Sequence, residues 1–243
     1  RMILRLVAGD LKALFGIAGF AGGIGFGTIF LKKGYSLQRT YALSKLESAM
    51  MPAIQVGLLV LVVTAPAFIF FSQKGPGAMH APWLISLAAG LVVGGLAQFS
   101  RLCTVGGFRD LFLFKKSILI FGYLAVLIGV FVVNISFGNF HLGFENQPIA
   151  HTDGLWNFLG MALAGFCSVL LGGCPLRQLI MTGEGNSDSA VTVLGLAAGA
   201  AFAHNFGLAA SGAGPTLNGE IAVVVGFIVA LIIAVVNTKR ANA

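Results

Sequence analysis

The sequence predicts an all-α, polytopic membrane protein of about seven transmembrane helices, with short re-entrant helices between them. Three observations predict it. Hydrophobic residues make up 57% of the 243 positions and charged residues only 9%, against about 25% charged in an ordinary soluble domain. Mean hydropathy is +0.93. The apolar residues gather in stretches that reach or approach the roughly 20 residues a bilayer requires. This composition excludes a disordered chain, a secreted disulfide scaffold and a soluble α/β enzyme, which needs more polar surface to stay in water. Glycine, at 34 residues, has no period of three, so a collagen-like chain is excluded too.

The spans follow in order. The first runs from about Ala13 to Leu31, the second from Ala49 to Phe71 and the third from Trp83 to Phe99. The fourth covers Ser117 to Phe137, the fifth Leu155 to Leu171, the sixth Ala190 to Ser211 and the seventh Ile221 to Val236. Positive charge orients them. Lys32, Lys33, Arg39 and Lys45 share one connecting segment, Arg101, Arg109, Lys115 and Lys116 another, and Lys239 and Arg240 the tail. Residues 138–154 and 212–219 hold no Lys or Arg, and Lys74 stands alone in its loop. Strict alternation then satisfies the positive-inside rule, with the C-terminus cytoplasmic and the N-terminal stub outside. The net charge of +7 is therefore assigned to cytoplasmic loops, and no nucleic-acid partner is expected.

The glycines form stripes. Gly19, Gly23 and Gly27 recur every four residues in the first span, and Gly195, Gly199, Ala203 and Gly207 do so in the sixth. Such spacing lets helix backbones approach closely in lipid. A pore wall of bare backbone is the alternative.

The stripes belong to a longer internal match. Arg1 falls on Arg177, Gly9 on Gly185 and Asp10 on Asn186; after a four-residue adjustment, Leu14 falls on Leu194 and Gly19 on Gly199. An odd number of spans separates the copies, which gives them opposite orientation, the plan of an inverted-repeat permease. The chain then reads as a single membrane domain, with residues 1–31 ending a first repeat and 32–243 carrying the rest with the second. The chain starts with Arg, its first ten residues carry no signal peptide, and the upstream part of the first copy is expected before Arg1.

Two cysteine motifs concentrate the chemistry. Ser100-Arg-Leu-Cys-Thr-Val-Gly-Gly-Phe-Arg-Asp110 follows the third span, and Gly165-Phe-Cys-Ser-Val-Leu-Leu-Gly-Gly-Cys-Pro-Leu-Arg177 ends the fifth. Each joins a span to a glycine pair, Gly106-Gly107 or Gly172-Gly173, where the chain can turn. A short helix is expected after each, over Phe108–Phe114 and Leu176–Met181. Pro175 suits a first helical turn, which puts Cys174 at the N-cap. Helix N-termini there would offer free N–H groups and partial positive charge to an anion. Arg109 and Arg177 are either end anchors or groups that support the re-entrant segments and attract an anion. Asp110 neutralises Arg109, caps a helix or faces water.

Other polar residues carry less. His80, His141 and His151 fall in outside loops without metal-ligand spacing, so no metal and no cofactor are expected. His204, inside the sixth span beside Asn205, is either a buried, hydrogen-bonded residue or a pore-lining one. Glu184, Asn186 and Asp188 read as a solvated turn. No Walker motif occurs, so the chain is not the ATPase part of a pump. Cys167 reads as packing.

At these motifs the chain resembles the YeeE/YedE sulphur-transport family of bacterial inner-membrane proteins. Arg101-Leu-Cys103, Gly106-Gly-Phe-Arg-Asp110 and Gly172-Gly-Cys-Pro-Leu-Arg177 carry the resemblance. Gly183-Glu-Gly-Asn-Ser-Asp188, Ala203-His-Asn-Phe-Gly207, Gly75-Pro-Gly-Ala-Met-His-Ala-Pro82 and Gln147-Pro-Ile-Ala-His-Thr-Asp-Gly154 resemble its selenium-associated branch. The resemblance implies a permease with two related halves around an hourglass path, for a small sulphur- or selenium-containing solute such as thiosulfate or a selenium oxyanion. It implies that pore thiols, Cys103 and Cys174 here, pass the anion by S–H hydrogen bonds. It also implies an upstream half, with a further cysteine motif, before Arg1. A cytoplasmic sulphur- or selenium-carrier protein is a candidate partner beside the bilayer itself. The competing function is a membrane thiol enzyme that carries sulphur or selenium on Cys174, although no His or carboxylate flanks that residue in sequence.

Overall fold

A computed structural model describes residues 5–37, 44–66, 81–144, 147 and 151–241. Arg1, Arg39, Lys74 and His80 lie outside them. The described chain is all-helical: α1 Ala13–Lys32, α2 Lys45–Thr64, α3 Trp83–Ser100, α4 Thr104–Phe114, α5 Ile118–Ser136, α6 Gly154–Leu170, α7 Pro175–Gly183, α8 Ser187–Asn205 and α9 Leu217–Ala241. A helix forms at each of the seven apolar stretches. Five helical segments among the described residues are long and apolar enough to cross a membrane, and Pro52–Thr64 is a shorter apolar helix. The chain is a polytopic membrane protein.

Contacts divide it into two compact units. The first comprises Arg1–Arg39, Cys103–Leu176 and Leu194–Ala243, and the second Thr40–Leu102 and Arg177–Val193. The first unit is built on α1 and α6. These helices run parallel, because Gly19 faces Phe158, Gly23 faces Ala162 and Gly27 faces Val169 in turn. The contact is reciprocal, since Gly165 of α6 faces Phe20 and Ile24 of α1. Two backbones meet where Cβ atoms are missing, which is how small residues join helices in lipid. The first glycine stripe is thus a packing seam. The second is not: among the described residues no atom outside their own helix approaches within 4 Å of where a Cβ would stand on Gly195 or Gly199. They border an apolar groove shared with Cys167 of α6 and Val225 of α9.

Two apolar clusters flank the seam. One holds Phe20, Ile24, Val105, Val169 and the thiols of Cys103 and Cys174. The other joins Tyr35, Phe166 and Leu170 to Ala230 and Ala234 of α9. Phe166 stacks edge-on against Phe26, with ring centroids 5.1 Å apart. Cys167 packs beside this second cluster, as its apolar neighbours predict. The Tyr35 hydroxyl donates to the Leu170 carbonyl at 3.4 Å. Burial, reinforced by Cys167, pushes the Tyr35 phenol up, so it stays a donor.

Local signals explain the helix starts. Asp153 caps α6 by accepting from the Trp156 N–H at 3.1 Å. Gly9 and Gly185, paired by the internal match, share a left-handed backbone, with φ +96° and +88°. Each is followed by a side chain that accepts from a nearby N–H: Asp10 from Lys12 at 3.0 Å, Asn186 from Ser189 at 2.9 Å. The two turns thus share a local conformation.

Candidate functional site

Cys103 and Cys174 lie 71 residues apart in sequence, and the first unit places their Sγ atoms 3.6 Å from each other. Neither is in a disulfide. They are 8% and 5% exposed, enclosed by Phe20, Ile24, Val105 and Val169. Each stands at the start of a short helix. Cys103 is the N-cap of α4 in extended backbone, and its Sγ accepts from the Gly106 N–H at 3.3 Å. Cys174 directly precedes Pro175, the first residue of α7. Two helix N-termini, each carrying about half a positive charge, therefore meet at one thiol pair.

The glycine pairs differ in role. Gly172 has φ +82° and makes the turn out of α6, as a glycine at a sharp reversal should. Gly106 and Gly107 do not break the chain. They sit in the first turn of α4, which begins at Thr104 rather than Phe108. The reversal occurs earlier, at Arg101, where φ is +51°. What Gly106 and Gly107 provide is clearance. A Cβ on Gly106 would stand 3.3 Å from the Cys103 Cβ and 3.4 Å from Leu119 Cδ1, and one on Gly107 would stand 3.4 Å from the Ile120 nitrogen. The pair lets α5 approach the thiols.

Tyr123 of α5 is a member of the site that the sequence reading missed. Its side chain lies near Thr104, the first residue of α4, and near Cys174. Its available signal was a lone hydroxyl within the apolar run Ile118-Leu-Ile-Phe-Gly-Tyr-Leu124 at the start of the span.

The two arginines have separate partners. Arg109 pairs with Asp110 at 2.9 Å, so its charge is neutralised by its neighbour. Arg177, in the second unit, donates to Gln98 Oε1 at 3.1 Å and lies 3.7 Å from the Glu184 carboxylate. Gln98 in turn donates to Glu184. Glu184 therefore belongs to a polar triad and not merely to a solvated turn. His204 is exposed in the last turn of α8, which corrects the expectation of a buried, hydrogen-bonded histidine. Among the described residues no group of three or more His, Cys, Asp or Glu side chains could hold a metal ion.

Residues 99–242, more than half of the chain, match the family described as sulphur transport. The chain belongs to the sulphur-transport family. The matched stretch contains both cysteine motifs, Tyr123 and the whole of α4 to α8. No curated protein and no solved structure gives a significant match. Membership and the membrane-spanning helices together identify a multi-pass membrane protein of a transporter family.

Proposed function

We propose that the protein is an inner-membrane permease for a small sulphur- or selenium-containing anion, which crosses at the Cys103–Cys174 pair. The thiol pair at two helix N-termini carries this reading. A thiol donates weakly, so it can hold an anion without trapping it, and conduction needs binding that is readily reversed. The N-terminal N–H groups supply positive potential without a fixed cation. Tyr123 offers a further hydroxyl beside Cys174. The positive residues between α3 and α5 and those of the tail favour a cytoplasmic C-terminus.

Uptake of radiolabelled thiosulfate and selenite into proteoliposomes tests the reading. Cys103→Ala, Cys174→Ala and the double variant should each lose most of the uptake shown by the parent protein. Unchanged uptake in the double variant would overturn the thiol path. The competing thiol enzyme predicts a covalent sulphur or selenium adduct on Cys174, visible in the intact mass during turnover.

A further inference from the structure

A second polar site lies in the first unit, near the N-terminal ends of α1, α6 and α9. It is a cavity of about 320 Å³ lined by Arg5, His151, Asn157, Met161, Ser211 and Glu220 among others. A water takes about 30 Å³ of liquid volume, so the space accommodates a small oxyanion with several waters.

Its chemistry is mixed in a specific way. Arg5 is ion-paired with Asp10, whose carboxylate is buried and also accepts from the Lys12 N–H. Asn157 adds an amide from a buried position on α6. Arg5 and Asn157 offer donors. Glu220 offers an acceptor. His151 Nδ1 is buried and has no hydrogen-bond partner among the described residues. A buried ring nitrogen left unmet is costly, so a ligand that supplies its partner is favoured. A fully deprotonated dianion would meet Arg5 and Asn157 but oppose Glu220. An oxyanion that keeps one O–H meets both sets: its oxygens accept from Arg5 and Asn157, and its hydroxyl donates to Glu220 or His151.

One residue is shared between the cavity wall and the packing around the thiols. Met161 lines the cavity and packs against the cluster that contains Cys103 and Cys174. One flexible, unbranched side chain therefore belongs both to the cavity wall and to the packing around the thiol pair.

We propose that this cavity is a docking site for a small monoprotonated oxyanion, occupied before the solute passes Met161 to the thiol pair. The inference rests on the transport reading, and binding measured without flux separates the two. The full chain in nanodiscs is titrated with radiolabelled selenite, which is substantially protonated at neutral pH, and with radiolabelled sulfate, which is a dianion. Selenite should bind at least about tenfold more tightly than sulfate. His151→Leu and Glu220→Gln should each weaken selenite binding about tenfold. In proteoliposomes they should raise the uptake KM by a similar factor, with the maximal rate within about twofold of the parent. The double Cys103→Ala, Cys174→Ala variant should lose uptake and keep selenite binding. Retained binding without uptake in the parent protein would leave the docking site standing and sink the transport reading. Equal binding of sulfate and selenite, or unchanged binding in both His151→Leu and Glu220→Gln, would overturn the proposal. Gel filtration establishes that each variant is folded, and Glu220→Gln carries the test if His151→Leu is not.

Discussion

Alanine at Gly23 should destabilise the protein, whereas alanine at Gly195 should not, although both glycines stand in stripes of the same spacing. A Cβ on Gly23 would overlap the Ala162 carbonyl oxygen and stand 2.7 Å from its carbon and 2.9 Å from its Cα. Ordinary contact begins near 3.4 Å, so α1 and α6 must separate by about 1.5 Å to clear the Ala162 carbonyl oxygen. The obstructing atoms are backbone, which cannot rotate away as a side chain can. Overpacking of this kind costs about 3 kcal/mol at the upper end of its usual range. Alanine recovers up to about 1 kcal/mol of helix propensity. The net loss is about 2 kcal/mol, which should lower the unfolding midpoint by on the order of 5 °C. At Gly195 no other part of the described residues stands within 4 Å, so only the propensity gain remains. The assay is thermal unfolding in detergent, followed by fluorescence-detected gel filtration of the two variants and the parent. The same displacement should loosen the cluster of Phe20, Ile24 and Val169, raising the maleimide labelling rate of Cys103 and Cys174. Equal midpoints for Gly23→Ala and Gly195→Ala would refute the reasoning that backbone contact, rather than glycine spacing, holds the first unit together.

Other outcomes follow from the same geometry. Mild oxidation with diamide should join Cys103 to Cys174 within one chain, seen as the loss of two hydrogens in the intact mass and of both alkylation sites; full alkylation of both after treatment would contradict their juxtaposition. Cys103→Ser should keep the cap of α4, whereas Cys103→Ala should cost about 1 kcal/mol, read from the same thermal assay. Asp10→Asn leaves Arg5 without its ion-pair partner and should cost about 3 kcal/mol, appearing as a lower midpoint and a poorer yield of folded protein. A fluorescent protein fused to the C-terminus should be bright, as expected for a cytoplasmic tail, and a dark but membrane-inserted fusion would reverse the proposed orientation.

Periodicity and composition made much of the helix plan legible. Long apolar stretches must become helices in lipid, because the bilayer offers no other partner for backbone N–H and C=O groups. The start at Ala13 was readable from where the apolar stretch begins, and that at Pro175 from proline's fit to a first helical turn. The left-handed turns at Gly9 and Gly185 fall at two positions that the internal match pairs, but the match did not reveal the turns themselves. The start of α4 was misplaced because Gly106-Gly107 resembles Gly172-Gly173 in sequence. A glycine pair does not reveal whether its missing Cβ atoms allow a turn or clear space for another helix.

The cysteine site was half legible. Both thiols could be singled out by their motifs, but only Cys174 could be placed at a helix start, because Pro175 follows it directly whereas the start of α4 was read five residues beyond Cys103. Their separation of 3.6 Å, the approach of Tyr123, and the partners that claim Arg177 depend on which helix faces lie together. The orphaned Nδ1 of His151 and the position of Met161 between cavity and thiols are of the same kind. Local composition dictates that this chain enters a membrane as helices and where several of them begin. Which side chains then share a site is set by packing between distant segments, and two glycine stripes of identical spacing, one sealed against α6 and one open, show why spacing alone does not contain that information.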